Sequence, residues 1–392
     1  MSRPRVEVVG GGLAGLVAAI ECAEQGADVL LHEARDSLGG RARSTEGPFR
    51  ANFGPHALYK SRSNWRWLAE RDLLPPTAKP AARAIRYRYE GRPRRVPPLA
   101  ALRAFATLRR EVPVDRDFRD WATESCGEKA AAILCAWAGP FTFHHDPGSL
   151  SAAFVAERLR WIYSPPSIRY LPGGWGELVA RLEGRARALG VQIRTGSRVL
   201  DLPAPPVIVA TELSEARDLL GDDPSLSVES GNVLTLDLGL SSRRGDPQAV
   251  LDLDRGMLAE RFPGSAPPGQ VLIQACHGLP PDADPDEALA RLEDLLDLAF
   301  PGWRDRRLWR RRQRAISRTG ALDPPGRTWK DRPAIDCGDG VYLAGDMVAA
   351  PGLLSEVSFT SAQEASRLAL RWTEPIQDAQ KGRLEDPKAT RG

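Results

Sequence analysis

Lysine is scarce in this chain. It stands at only six of the 54 basic positions, Lys60, Lys79, Lys129, Lys330, Lys381 and Lys388, and the rest are arginine. Such a skew reflects a GC-rich genome, so a single arginine carries little functional weight although a dense cluster does. Cysteine is sparse too. The five residues Cys22, Cys126, Cys135, Cys276 and Cys337 are odd in number and form no CxxC pair. That fits a reduced, intracellular protein better than a disulfide framework and argues against structural zinc. No run of eighteen apolar residues occurs, so no transmembrane helix is expected. Met-Ser-Arg-Pro-Arg shows neither an apolar signal region nor a cleavage site, and a cytoplasmic location is expected. A net charge of +3 argues against a dedicated nucleic-acid binder. What remains is a globular composition, 42% hydrophobic and 27% charged over 392 residues, enough for two connected domains.

Val6 to Val9 is a short β-branched strand running into glycines. Leu13, Leu16, Val17, Ile20 and Ala23 then fall at helical spacing, and Gly26 stops the helix after Gln25. Val29-Leu30-Leu31 is a second strand ending at Glu33. Together they form a βαβ unit. Further on, Ile85–Tyr89 and Arg94–Val96 flank Glu90-Gly91 as a β-hairpin. Leu99 to Arg110 reads as an amphipathic helix, and 117–163 as helical and aromatic-rich. A helix over Gly176–Leu189 leads to strands at Val191–Ile193 and Val207–Val209. Residues 232–277 alternate as antiparallel strands. Asp284-Pro285 caps a helix carrying Leu289, Leu292, Leu295 and Leu296. Val341–Leu343 is a final buried strand, Ser361–Arg371 a closing helix, and residues after Pro375 a frayed tail.

Gly10-Gly11-Gly12-Leu13-Ala14-Gly15 is a GxGxxG run between strand and helix, the context that gives the pattern meaning. Gly10 permits the tight turn, Gly12 the approach of a pyrophosphate, and Gly15 close packing of helix on strand. The helix start at Leu13 and Ala14 offers free N–H groups and a positive dipole end. Glu33 stands where a carboxylate receives ribose hydroxyls, which disfavours a 2′-phosphate.

The stretch Glu33-Ala34-Arg35-Asp36-Ser37-Leu38-Gly39-Gly40-Arg41 then resembles the family of FAD-dependent amine oxidases, protoporphyrinogen oxidases and phytoene desaturases. Phe53-Gly54-Pro55-His56 is similar to that family's loop beside the flavin, although His56 also reads as an ordinary loop histidine. Leu171-Pro172-Gly173-Gly174-Trp175 resembles its return into the FAD domain. Val341 to Asp346 resembles its strand-Gly-Asp motif, and Val357-Ser358 with Ser361 to Ser366 its last helix, whose N-terminus faces the flavin. The resemblance implies an α/β fold: a discontinuous Rossmann-like FAD-binding domain of the glutathione-reductase type (1–75, 168–228 and 325–375), an α+β substrate domain (76–167 and 229–324), and a flexible tail (376–392). It implies FAD on Gly10, Gly12, Leu13, Ala14, Gly15, Glu33, Ala34, Arg35, Gly40, Arg41, Gly54, Pro55, His56, Val199, Gly345, Asp346, Val357 and Ser358. Val199 takes the adenine position.

The chain departs from the family at several points. Val199 to Val209 passes through Pro203-Ala204-Pro205-Pro206 with no room for the usual β-meander. Asn52 stands where an acid is common, and Ala362 where a glycine is. Met347 to Leu354 holds no cysteine for covalent attachment, so FAD is expected to be non-covalent, and no aromatic cage. Its apolar character points to a hydrophobic substrate and to desaturation or oxidation, with oxygen or a quinone as acceptor. Oxidation of an amine or amino acid, or a non-redox isomerase use of flavin, stand as alternatives. Candidates for catalysis are His56, Tyr170, Trp175 and Lys330, the last read more readily as a solvated lysine. Adjacent His144-His145 should point apart, and no metal is expected. The arginines from Arg83 to Arg110 read either as a solvated surface or as a peripheral membrane contact.

Overall fold

The structure is a computed structural model that describes residues 3–54, 56–81, 84–163, 168–221 and 223–385. The chain divides into two compact units, one of 1–42, 178–228 and 329–392, the other of 43–177 and 229–328.

The first unit is built on a parallel sheet of five strands in the order Val341–Leu343, Val207–Val209, β1 (Arg5–Val9), β2 (Asp28–His32) and Gln192–Arg194. Val6, Val8, Leu31, Val207, Ile208 and Leu343 are buried, as expected for parallel strands covered on both faces. Helix α1 (Leu13–Glu24) joins β1 to β2, and Gly26 at φ +85° closes it. The last helix runs Ser355–Glu385 and packs on α1, with Ser366 Oγ donating to the Ala18 carbonyl at 3.2 Å. It is far longer than the expected Ser361–Arg371, and the tail expected to fray from 376 is helical to Glu385. Gln377 to Glu385 is rich in good helix formers, which carry the turn pattern onward.

The second unit holds a seven-stranded sheet in the order Arg307–Ala315, Asn232–Ser241, Gln270–Leu279, Met257–Phe262, Ala249–Asp252, Ile85–Tyr89 and Arg92–Arg94. Its pairings are antiparallel except Ala249–Asp252 with Ile85–Tyr89. The hairpin turns at Glu90-Gly91, both at positive φ (54° and 69°), so the return strand begins at Arg92 rather than the expected Arg94. Helix Pro285–Ala299 covers one face with Leu292, Leu295 and Leu296, and the Asp284 carboxylate caps it by accepting from Asp286 N–H at 2.8 Å. Four helices between Leu99 and Tyr163 enclose a second core containing Trp137 and Phe154.

The units differ from the expected division chiefly at 43–75 and 168–177, which belong to the second, as does the short stretch 325–328. Phe49, Ala51 and Tyr170 pack with Phe262 and Leu272 of that sheet, which draws both segments there.

Candidate functional site

In the first unit the glycine turn is shaped as its sequence predicts. Gly10 sits at φ +107° and donates its N–H to His32 O at 2.7 Å. A Cβ on Gly15 would fall on the Gly10 carbonyl oxygen, so only glycine lets α1 lie this close to the turn. A Cβ on Gly12 would meet nothing within 4 Å, so the space in front of the helix start is open. Gly12 is also the N-cap of α1, yet no side chain among the described residues caps the helix and its first turn holds no acid. The free N–H groups at Leu13, Ala14 and Gly15 are thus left to an outside acceptor.

Glu33 is 8% exposed and follows β2. Its carboxylate accepts from Gly11 N–H at 2.8 Å and from Arg35 N–H at 2.9 Å. The Glu33–Arg35 segment pairs with the next loop, Ser197 N–H donating to Glu33 O and Gly196 N–H to Arg35 O, which carries the chain toward Val199. Gly39 N–H donates to Gly11 O at 2.7 Å, folding Gly39-Gly40 over the glycine turn. Arg41 then reaches Asp346 in a two-pronged ion pair, 2.8 and 2.6 Å, joining the two ends of the sequence. Gly345 is pinned by Ser361, whose hydroxyl accepts from Gly345 N–H and contacts Gly345 O, both at 3.0 Å. Val357 and Ser358 lie buried in the first turn of the last helix. An open cradle, an uncapped helix start, a ribose-type carboxylate and an Arg–Asp pair fit a dinucleotide.

The other candidates lie mostly in the second unit. Pro55 is outside the described residues. His56 N–H donates to Gly54 O at 2.8 Å, and the His56 ring lies 5.2 Å from that of Trp175. Asn52 holds this corner: its side-chain oxygen accepts from Trp175 N–H and from Ser44 Oγ, both at 2.9 Å. The amide therefore does a structural task where an acid is common in the family. Trp175 is 2% exposed, and its Nε1 has no hydrogen-bond partner among the described residues, an orphaned donor that a ligand could satisfy. Three sheet side chains grip the carbonyls beside the loop. Arg311 and Gln274 donate to Asn52 O, and Gln313 Nε2 donates to Phe53 O at 3.2 Å. Arg311 in turn pairs at 2.6 Å with Asp237, which is wholly buried.

Tyr170 is buried and donates its hydroxyl to Glu260 at 2.5 Å. Burial pushes the Glu260 carboxyl up to about 7, although the Tyr170 hydrogen bond works the other way. Burial likewise raises Tyr59, to about 12, with Glu260 adding to the effect and Arg158 and Arg62 opposing it. Glu260 was missed by sequence reasoning, yet a signal existed: an acid directly after the apolar run Met257-Leu258-Ala259 of the Met257–Phe262 strand.

Lys330 lies in the other unit, exposed within the short Trp329–Asp331 turn, with its Nζ 5.7 Å from the Trp329 ring. His144 and His145 do not point apart: their rings stand 4.4 Å from each other. Phe143 at φ +55° and the hydrogen bond between His144 Nδ1 and Asp146 O fold that segment out of the extended form. Among the described residues no three His, Cys, Asp or Glu side chains converge as a metal site. Trp137 and Phe154 are core residues, with Trp137 edge-on to Phe105 at 4.7 Å.

Residues 8–71 match the profile of the NAD(P)-binding Rossmann-like domain. Solved structures extend the likeness over nearly the whole chain. Cyclohexylamine oxidase from Brevibacterium oxydans IH-35A superposes with a TM-score of 0.75 at 16% identity, covering 95% of this chain and 100% of its own. A protein described as a protoporphyrinogen oxidase from Exiguobacterium sp. 255-15 gives 0.66 at 16%, covering 95% and 100%. Reduced UDP-galactopyranose mutase gives 0.73 at 16%, covering 98% of each chain. The fold is shared with two oxidases and a mutase. No curated protein matches the chain by sequence. No helix among the described residues is long and apolar enough to cross a membrane.

Proposed function

We propose that the chain is an FAD-dependent oxidoreductase that holds its flavin non-covalently. The observation that carries this reading is the uncapped start of α1 behind the open space at Gly12, with the Glu33 carboxylate at the end of β2. The N–H groups at Leu13, Ala14 and Gly15 take the pyrophosphate, with Gly10 and Gly12 allowing its approach. Glu33, backed by Ala34 and Arg35, receives the adenosine ribose, and Val199 flanks the adenine. Gly40, Arg41, Gly345 and Asp346 hold the middle of the molecule. Arg41 neutralises phosphate charge while Asp346 accepts from hydroxyls, a division of labour their mutual ion pair prepares. Val357 and Ser358 bring the last helix start to the flavin ring, and the resemblance assigns Gly54, Pro55 and His56 to the cofactor as well. The bound flavin supplies hydride acceptance, so the protein's tasks are to bind, orient and exclude water.

The apolar run Met347–Leu354 supports a hydrophobic small-molecule substrate, desaturated or oxidised at carbon, with oxygen or a quinone as final acceptor. A second reading rests on Glu260. A carboxyl of tunable charge held by Tyr170 in a largely buried site recognises a substrate amine, which supports amine oxidation. The test is anaerobic mixing of the flavin-loaded protein with polyenes, tetrapyrroles and primary amines, following flavin absorbance, with peroxide measured in air. Bleaching by an apolar compound supports the first reading. Bleaching and peroxide with amines, weakened in Glu260→Gln, supports the second. Rapid bleaching by NADPH alone, without substrate, contradicts both.

A further inference from the structure

The segment from Gly91 to Arg110 carries six arginines and no acid. Within it stand three of the most exposed large apolar side chains of the described residues: Val96 at 69%, Leu99 at 63% and Leu102 at 56%. They follow from the way the Leu99–Thr107 helix is seated. Ala101, Ala104 and Thr107 are buried, together with Leu108 just beyond. Arg160 fastens the end of the helix by donating to the carbonyls of Leu108 and Arg110, the latter at 2.6 Å. The opposite stripe, Leu99, Leu102, Arg103, Ala106 and Arg110, faces outward at helical spacing.

The charges here are dense and mostly uncompensated. Several exposed arginines elsewhere are neutralised by neighbours: Arg116 by Glu124, Arg119 by Asp146, Arg187 by Glu183, Arg312 by Asp286. In the 91–110 segment only Arg94 has such a partner, Glu90 at 3.4 Å. Arg92, Arg95, Arg103 and Arg109 pair with no carboxylate among the described residues. Blunting of a sheet edge accounts for Arg92, Pro93 and Arg94, which form the outermost strand. It does not account for Val96, Leu99, Leu102 and Arg103, which lie beyond that strand.

We infer that this patch is a docking surface for an anionic lipid bilayer, with Val96, Leu99 and Leu102 entering the headgroup boundary and the unpaired arginines meeting lipid phosphates. Apolar side chains ringed by uncompensated positive charge match that partner in both chemistry and sign. An acidic protein would answer the charge but has no need of the leucines. The inference stands apart from the flavin reading, because none of the residues involved is among those proposed to hold the cofactor.

The test is co-sedimentation of the full-length protein with vesicles of phosphatidylcholine alone and of phosphatidylcholine with phosphatidylglycerol, at low and high salt. Binding is expected only to the anionic vesicles, and weaker in high salt. The triple variant Arg92→Gln, Arg95→Gln, Arg103→Gln should lower partitioning on the order of 100-fold. The pair Leu99→Gln, Leu102→Gln should lower it roughly tenfold or more. Ile316→Gln, at an exposed position in another segment, should leave it unchanged. All the altered side chains are exposed, and unchanged circular dichroism shows that the fold is kept. Absence of binding to both vesicle types overturns the inference. So does binding that the leucine pair does not affect, which would leave a charge-only contact of the kind an acidic protein makes.

Discussion

Substituting Gly12 and Gly15 by alanine separates cofactor binding from folding, because the two glycines are needed for different reasons. At Gly15 the added methyl falls on the Gly10 carbonyl oxygen, and backbone must move to relieve it. Overpacking of this kind costs about 1–3 kcal/mol of stability. At Gly12 the methyl meets nothing within 4 Å, and φ is −74°, which alanine adopts freely. Loss of glycine from the N-cap costs up to about 1 kcal/mol, and the smaller entropy of the unfolded chain returns about 0.4–1 kcal/mol. The net change in apoprotein stability is therefore within about 1 kcal/mol. The same methyl fills the space through which a phosphate reaches the helix N–H groups. Losing two charge-assisted hydrogen bonds, each worth about 1.5–3 kcal/mol, weakens FAD by roughly 100-fold to 10,000-fold. The assay is a titration of apoprotein with FAD followed by flavin fluorescence, with denaturant unfolding of each apoprotein alongside. Gly12→Ala should unfold with the parent and bind FAD poorly, whereas Gly15→Ala should unfold early. If Gly12→Ala binds FAD as tightly as the parent, the cradle is not a phosphate site.

Three other outcomes follow from the same physics. Arg311→Met leaves the Asp237 carboxylate buried without its partner and should cost about 3–5 kcal/mol in denaturant unfolding; adding Asp237→Asn should recover part of it. Glu260 has a folded-state pKa of about 7, above its unfolded value, so its contribution is fully present below the unfolded pKa and is lost as pH rises to about 7. The loss is on the order of 3 kcal/mol, and Glu260→Gln should be more stable than the parent at pH 8, a gain that unfolding curves at pH 4.5 should not show. Glu33→Gln keeps the shape but turns one of the two acceptor oxygens into a donor that faces a backbone N–H, and should weaken FAD by roughly tenfold while costing about 1–3 kcal/mol of stability.

The βαβ unit was legible because each of its residues has a local reason: the apolar runs, Gly26 after the helix, and glycines that the turn geometry requires. The Asp284-Pro285 cap and the Glu90-Gly91 turn were legible on the same grounds. The sequence placed Arg41 and Asp346 near one ligand only through resemblance; their ion pair across most of the chain has no local signal. The grip on the 52–56 loop was likewise invisible, since Gln274, Arg311 and Gln313 come from two strands far along the chain. Asn52 looked like a departure and is a buried hydrogen-bonding post. His144-His145 defied the expectation of alternation because Phe143 adopts a left-handed backbone, which its residue type does not announce. The unit boundaries moved because 43–75 and 168–177 are placed by packing against a sheet rather than by their own pattern.

The account stands or falls on the flavin. The direct measurement is mass spectrometry of the small molecules released when the purified protein is denatured, repeated after incubation with FAD. The account predicts intact FAD in the extract, released without proteolysis because no covalent bond holds it. An extract with no flavin, even after incubation with excess FAD, would contradict it and leave the glycine turn at Gly10–Gly15 as scaffold alone.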